Sequence, residues 1–329
     1  VEVKMDVVVT GMRSTGELHI GHLVGVIDNL KKLQETYKSY FFIADLHVLT
    51  TGYEDVSNFR KNKQDIMLDW LAAGIDPDKA TLFIQSKVKA HAYLSLLLSM
   101  IVPLPWLERN PTVKEMVRDL DLKDNATYGL LGYPVLMAAD IMLYKAKYVP
   151  VGKDQLPHLE ITREIVRRFN FLYGDLFVEP QALLTEFPDV PGIDGKKMSK
   201  SLQNDIKISS SEEDTTKQVM RAITDPQKIK LHDKGHPEVC NVFTYHKIFN
   251  QEEVAQIEID CRNGELGCVA CKKRLAEKLN AYLRPIREKR EALKKEIDKV
   301  EDIFEEGSKK ASVVADATLD EALSKMNLK

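Results

Sequence analysis

Two imidazoles three residues apart, His19 and His22, close the stretch Gly11-Met12-Arg13-Ser14-Thr15-Gly16-Glu17-Leu18-His19-Ile20-Gly21-His22. The apolar run Val7-Val8-Val9 before it reads as a buried strand, and Leu23, Ile27, Leu30 and Leu33 after it repeat on one helical face. A helix that starts directly after a strand presents unpaired N–H groups and a partial positive charge. Phosphate-bearing ligands settle at such a place. Gly11, Gly16 and Gly21 would let one approach the backbone, and both histidine rings would reach the same phosphates. A surface turn with two incidental histidines is the plain alternative.

Further along are three more groupings with chemical content. Tyr133, Met137 and Asp140 recur at i, i+4 and i+7 of one helical run. They read as a core helix or as the floor of a pocket, where the carboxylate would accept one hydrogen bond. Indole, with one N–H donor and no acceptor, matches that arrangement. The run Lys147–Val151 reads as a strand ending in Gly152-Lys153-Asp154-Gln155, where Asp154 suits the paired hydroxyls of a ribose. Residues 188–195, with two prolines and two glycines, form a loop that presents Lys197-Met198-Ser199-Lys200-Ser201. Two lysines around a serine suit a phosphorus centre whose charge grows on a leaving group.

Cys240, Cys261, Cys268 and Cys271 are the four cysteines of the chain, all within 32 residues. Such clustering favours four thiolates on one centre, either structural zinc or an iron–sulfur cluster, and spacing alone does not choose. Directly after them, residues 272–295 hold ten cations against three acids, with Leu275, Leu279, Tyr282 and Ile286 as an apolar face. A basic amphipathic helix there suggests RNA phosphates, or simply a solvated face.

The elements that must carry these groups alternate. Val7–Val9, Tyr40–Ala44 and Thr81–Ile84 are near-continuous apolar strands, separated by helical spacing from Gly21, from Asn58 to Ala73, and from His91 to Ile101. This predicts an α/β fold, a Rossmann-like doubly wound parallel sheet over 1–205, followed by a helical domain over 206–329. Ligands bind beyond the carboxyl ends of such strands, where Gly11, Asp45 and His47 stand. Lys114 to Asp124 reads as a solvated face, and Glu301 to Lys329 as one or two terminal helices packing back on the body. The chain has 329 residues, 44% apolar and 29% charged, with net charge −3, so any nucleic-acid contact must be local. Leu94 to Leu107 is too short for a membrane span, and no signal peptide is expected; a cytoplasmic protein fits.

His19-Ile20-Gly21-His22 resembles the HIGH signature of class I aminoacyl-tRNA synthetases, and Lys197–Ser201, about 175 residues on, resembles their KMSKS signature. The Tyr133–Asp140 segment is similar to that of tryptophanyl-tRNA synthetases, where the matching aspartate meets the indole nitrogen. The resemblance implies a homodimer that joins L-tryptophan to tRNA(Trp) with ATP and Mg2+. It implies His19, His22, Lys197, Ser199 and Lys200 as catalytic groups. Gly11, Arg13, Ser14, Thr15, Gly21, His22, Gly152, Lys153, Asp154 and residues Lys197, Met198, Ser199, Lys200 and Ser201 would hold ATP. Tyr133, Met137, Asp140, His47 and Gln155 would hold tryptophan. Many relatives have glutamine where this chain has Arg13. In a bacterial subset four cysteines at similar spacing, the first gap two residues longer, hold a 4Fe–4S cluster, and the C-terminal helical domain reads the anticodon.

Overall fold

β1 (Val7–Met12), β2 (Lys38–Ile43), β3 (Ala80–Ile84), β4 (Tyr148–Val151) and β5 (Gln181–Leu184) form one sheet in the order β3-β2-β1-β4-β5, every pair parallel. The computed structural model describes residues 5–119, 121–122, 126–184, 190–200 and 202–329. Side chains alternate across the pleat, so each strand feeds two cores. Val8, Phe41, Ile43, Leu82 and Ile84 face one, and Val9, Tyr40, Phe42 and Phe83 face the other. That explains the near-continuous apolar strands: both faces of the sheet are covered.

The first face is covered by α1 (Ile20–His22), a π-helical stretch (Leu23–Ile27), α2 (Asp28–Thr36) and α4 (Phe59–Ala73). Between them α3 (Asp45–Gly52) follows β2. The second face carries α5 (Ala90–Ser99), α8 (Tyr128–Met142) and α9 (Leu156–Tyr173), with α6 (Leu104–Glu108) and α7 (Pro111–Asp119) at its rim. The predicted helices and four strands stand within a few residues of their expected limits. β5 was not foreseen. It is an edge strand without a fully buried residue, so its sequence carries no apolar run.

Beyond the sheet come α10 (Glu212–Arg221), α11 (Asn241–Phe249), α12 (Val254–Asn263), α13 (Cys268–Lys294) and α14 (Ile297–Lys325). Ser211 caps α10 by accepting from the Asp214 amide, and three acids in its first turn complement the helix dipole. α13 packs on α4, α10 and α11, burying Leu275, Leu279 and Leu283. The terminal stretch is one helix, and α14 lies along the free side of β3. Gly307 is obligatory there, because a Cβ would stand 1.8 Å from the Leu82 carbonyl oxygen. One residue on, Ser308 Oγ accepts from the Ile84 amide at 3.2 Å. Among the described residues no helix is long and apolar enough to cross a membrane.

Candidate active site

The turn after β1 delivers the histidines to the carboxyl end of the sheet. His19 caps α1, its backbone N–H donating to Nδ1 of His22 at 3.3 Å, and the two rings stack with centroids 3.7 Å apart. Since His22 Nδ1 accepts, its ring proton sits on Nε2. Burial, reinforced by His19 and Lys200, pushes His22 down to about 3, and burial takes His19 to about 4. Both rings are therefore neutral at physiological pH. The glycines serve packing as much as ligand approach. A Cβ at Gly21 would meet the His19 ring at 3.0 Å, and one at Gly11 the Phe42 ring at 2.4 Å. Among the described residues Ser14 Oγ, Arg13 Nε and His19 Nδ1 are buried without a hydrogen-bond partner. Buried polar atoms are costly to leave so; Arg13 and His19 line cavities that a polar ligand could fill, whereas Ser14 lines neither.

The lysine loop closes against the same turn. Ile20 N donates to Ile206 O at 2.9 Å and Ile208 N to Leu18 O at 2.9 Å, while Glu17 takes Lys207 Nζ at 2.8 Å and Ser209 Oγ at 2.9 Å. Lys200 Nζ reaches the Thr15 carbonyl at 3.2 Å. A cavity of about 560 Å³ between them is lined by Thr15, His19, His22, Lys197, Met198, Ser199, Lys200 and Leu202. Ser201 lies outside the described residues. Asn204, which sequence reasoning missed, organises this loop. Its Oδ1 accepts from Ser199 N at 2.8 Å, and its Nδ2 donates to Asp194 Oδ1 and Lys197 O. No periodicity marks such a residue; only its position four beyond the second lysine could have drawn notice.

His22 and Lys197 also line a neighbouring cavity of about 660 Å³ over the ends of β1, β2 and β4. Gly11, Arg13, His47, Tyr133, Met137, Asp140, Gly152, Asp154 and Gln155 all line it. Lys153 is exposed beside it, and Ser14 and Gly21 are not among its lining residues. Two expectations are corrected. Asp45 turns away from the crevice, its carboxylate accepting from Ser86 N and Oγ and pairing with Lys63, so it fixes the start of α3. α7, read as a solvated face, contributes Thr112, Glu115, Met116 and Asp119 to the cavity wall.

Asp140 is 2% exposed and is the most heavily coordinated side chain of the site. Gln85 Nε2 donates to both carboxylate oxygens at 2.8 and 2.9 Å, His47 Nε2 stands 2.9 Å from Oδ2, and His91 Nδ1 is 2.5 Å from Oδ1. Burial would raise the Asp140 carboxyl, but the bonds from His47 and His91 outweigh it and hold it below the usual range. These four contacts, two on each oxygen, meet the roughly four lone-pair sites of an ionised carboxylate, and Gln85 occupies two of them with a single nitrogen. Above it, His158 Nδ1 accepts from Asn110 Nδ2 at 3.2 Å, so its Nε2–H donates to the Tyr133 hydroxyl oxygen. The Tyr133 proton is then free to point elsewhere. Arg13 Nη2 meets Thr51 Oγ1 at 2.5 Å, and burial lowers its guanidinium from the ordinary value.

The cysteines fall in one neighbourhood at the junction of α11, α12 and α13, where burial and, after it, neighbouring thiols raise Cys240, Cys261 and Cys271. Burial, then the other three thiols, push Cys271 up to about 12. Among the described residues, however, no three His, Cys, Asp or Glu side chains close on a single metal ion. The basic helix is also corrected in part. Lys272 bonds the Met220 carbonyl, Lys278 pairs with Glu252 and Glu253, Arg284 with Glu212, Arg287 bonds Thr215 and Asn280, and Arg290 is buried between two aspartates. Half of the ten cations thus hold the protein together, while Lys273, Lys289 and Lys295 stand exposed.

A parallel sheet with a histidine turn clasped to a lysine loop defines a class I aminoacyl-tRNA synthetase, and residues 4–284 match the family model described as tRNA synthetases class I (W and Y). The chain is 44% identical to a tryptophan–tRNA ligase of Aquifex aeolicus and 47% identical to that of Thermotoga maritima, covering 98% of this chain and 99% of each relative. Among solved structures, a tryptophanyl-tRNA synthetase of Campylobacter jejuni, complexed with ADP and tryptophan, superposes with a TM-score of 0.89 at 36% identity over 98% of this chain and 100% of that one. The chain belongs to the tryptophan–tRNA ligases.

Proposed function

We propose that this chain activates L-tryptophan with ATP and transfers it to tRNA(Trp) through the two joined cavities, with roles assigned residue by residue. The observation that carries the reading is that His22 and Lys197 line both cavities, while Asp140, Tyr133, Met137, His47 and Gln155 line one alone. An amino acid seated over Asp140 would bring its carboxylate to phosphates held at the histidine turn. The indole N–H would take one of the two Asp140 acceptor sites that Gln85 Nε2 spans, and Met137 and Tyr133 would supply the apolar wall. Gly152 and Asp154 suit the ribose.

In the first step a tryptophan carboxylate oxygen attacks the α-phosphorus in line. The bond to the bridging oxygen breaks, its electron pair leaves with pyrophosphate, and tryptophanyl-adenylate forms. Lys197, Lys200 and Ser199 face the growing charge, and neutral His19 and His22 can donate hydrogen bonds without having to lose a proton. Mg2+ brought in with the nucleotide would supply further positive charge. In the second step a ribose hydroxyl of the terminal adenosine attacks the acyl carbon and AMP departs. No side chain becomes a covalent nucleophile.

The test is amino-acid-dependent ATP–pyrophosphate exchange. Exchange with tryptophan at least a hundredfold above tyrosine supports the reading. The reverse preference favours a tyrosine enzyme, although phenol needs a donor and an acceptor at a floor where Met137 supplies neither well.

Residues 206–329 are read as the anticodon-binding domain, with Lys273, Lys289 and Lys295 as phosphate contacts. Exposed Leu49, Tyr53, Leu96, Leu104 and Tyr128 surround a cleft of about 730 Å³ between α3, α5, α6 and α8 and suit a homodimer contact. The four cysteines are read as ligands of a 4Fe–4S cluster. The donor set is four thiols, and a cubane holds its cysteine sulfurs farther apart than one tetrahedral zinc does, which fits thiols that interact without closing on one ion. The cluster would fix the N-terminus of α13 and not serve the reaction. Broad visible absorbance in anaerobically reconstituted protein, lost in Cys271→Ser, supports it; colourless protein with one zinc per chain overturns it.

A further inference from the structure

Leu18 is the residue immediately before the first histidine, and its peptide is gripped from both sides. Its carbonyl accepts from Ile208, beyond the lysine loop, and its N–H donates to Oδ2 of Asp69 at 3.0 Å. Asp69 lies on α4 and is fully buried. Its other oxygen takes Nε of Arg290 on α13 at 2.6 Å, and Nη2 of the same guanidinium reaches Asp65 Oδ1 at 2.9 Å. Asp65 and Asp69 are one helical turn apart, so two buried like charges face one side of α4. Arg290, only 4% exposed, bridges both with its fixed fork, which a lysine cannot reproduce.

A buried ion pair is weak evidence for stability, since an apolar replacement of similar volume often does as well. What distinguishes Asp69 from Asp65 is the bond each makes besides the one to Arg290. Asp65 makes its further contact to Lys61, on its own helix, at 3.0 Å. Asp69 makes its further contact to the catalytic turn, 51 residues away in sequence. Among the described residues no other side chain holds that amide.

We propose that Asp69, oriented by Arg290, is a positioning residue for adenylate formation: it fixes the Leu18 peptide, and with it the height and tilt of His19 and His22, so that α13 sets the geometry of the histidine turn. This rests on the reading of that turn as the ATP phosphate site. Displacement of a reacting group by about 1 Å can cost on the order of a hundredfold in rate, so a small slackening of this turn is enough to be seen.

Asp69→Asn, Asp65→Asn, Arg290→Lys and Arg290→Met are compared in the full-length protein by ATP–pyrophosphate exchange and by thermal unfolding. Asp69→Asn is expected to lower the exchange kcat at least tenfold with the KM for tryptophan within twofold. Asp65→Asn should lose a similar amount of Tm yet keep kcat within twofold. Arg290→Met should follow Asp69→Asn, Arg290→Lys should recover only part, and the double variant Asp69→Asn/Arg290→Met should be no slower than the slower single one. If both aspartate variants lose rate in step with Tm, or Asp69→Asn exchanges at the wild-type rate, the proposal is wrong. If Asp69→Asn does not fold, Arg290→Lys against Asp65→Asn makes the same comparison. Wild type that exchanges no amino acid at all sinks the underlying functional reading instead, which keeps the two failures apart.

Discussion

The Ile20 amide donates to the Ile206 carbonyl across 2.9 Å, although the two residues stand 186 positions apart in the chain, one in the histidine turn and the other just beyond the lysine loop. With the reciprocal bond from Ile208 to Leu18 it makes a short clasp, and the isolated bridge between His19 and Lys207 is part of it. The histidine turn and the segment that follows the lysine loop therefore move as one piece. Asn204 holds the base of the lysine loop that lies before this clasp.

Asn204→Ala should accordingly loosen the lysines without touching the amino-acid pocket. It removes the acceptor for Ser199 N and the donors to Asp194 and Lys197. Pyrophosphate exchange should fall about tenfold to a hundredfold in kcat, by analogy with losing preorganised charge stabilisation, with little change in the KM for tryptophan. A variant with normal kcat would show that Asn204 is only a loop fastener.

Asp140→Asn keeps the shape of the floor but turns one acceptor oxygen into a donor that faces His47, His91 and Gln85. A hydrogen bond to a charged group contributes about 1.5–3 kcal/mol. The KM for tryptophan should therefore rise roughly tenfold to a hundredfold, while the KM for ATP moves little. Steady-state kinetics with each substrate varied in turn reads this directly; an equal rise in both constants would contradict the assignment.

Stability should fall in mild acid because of the histidine pair. His19 and His22 titrate at about 4 and about 3 in the folded chain, against about 6.5 for a free imidazole. Below pH 6.5 the unfolded chain binds protons that the folded one refuses, so their contribution is complete above that pH and is lost as pH drops towards 4. His158, taken by burial to about 4, acts with the same sign. Each group adds a slope of at most about 1.4 kcal/mol per pH unit. Denaturant unfolding between pH 7.5 and 5 should give a shallower dependence in His19→Gln/His22→Gln than in wild type, and parallel curves would refute it.

Gly307→Ala tests whether α14 is truly seated on β3. The added methyl carbon would sit 1.8 Å from a backbone oxygen that cannot turn aside, so the helix must lift. Overpacking of this kind typically costs about 1–3 kcal/mol. A fall in Tm of several degrees is expected, whereas an unchanged Tm would mean that α14 rests elsewhere.

What the sequence disclosed follows from where the physics is local. Buried parallel strands show as apolar runs, so β1 to β4 were legible, and β5, half-buried at the edge, was not. Tyr133, Met137 and Asp140 were legible because a helix puts them on one face. The three donors that converge on Asp140 come from α3, the end of β3 and α5, and no spacing rule links them. The same holds for Asp69 and Arg290, 221 residues apart. Arg290 looked like one more cation on a basic face, because a count of charges is blind to those that are already engaged.

The seating of α14 along β3 also bears on how the chain must be made. β3 ends the sheet on that side, and an uncovered strand edge is a template for pairing with other chains. Its amide at Ile84 and its carbonyl at Leu82 meet residues 307 and 308, which a ribosome delivers more than two hundred residues later. Throughout that interval the nascent sheet carries an open, sticky border. The last helix is thus a late-arriving lid for the earliest-built part of the molecule, and a chain released a few dozen residues short would be a candidate for self-association rather than a smaller working enzyme.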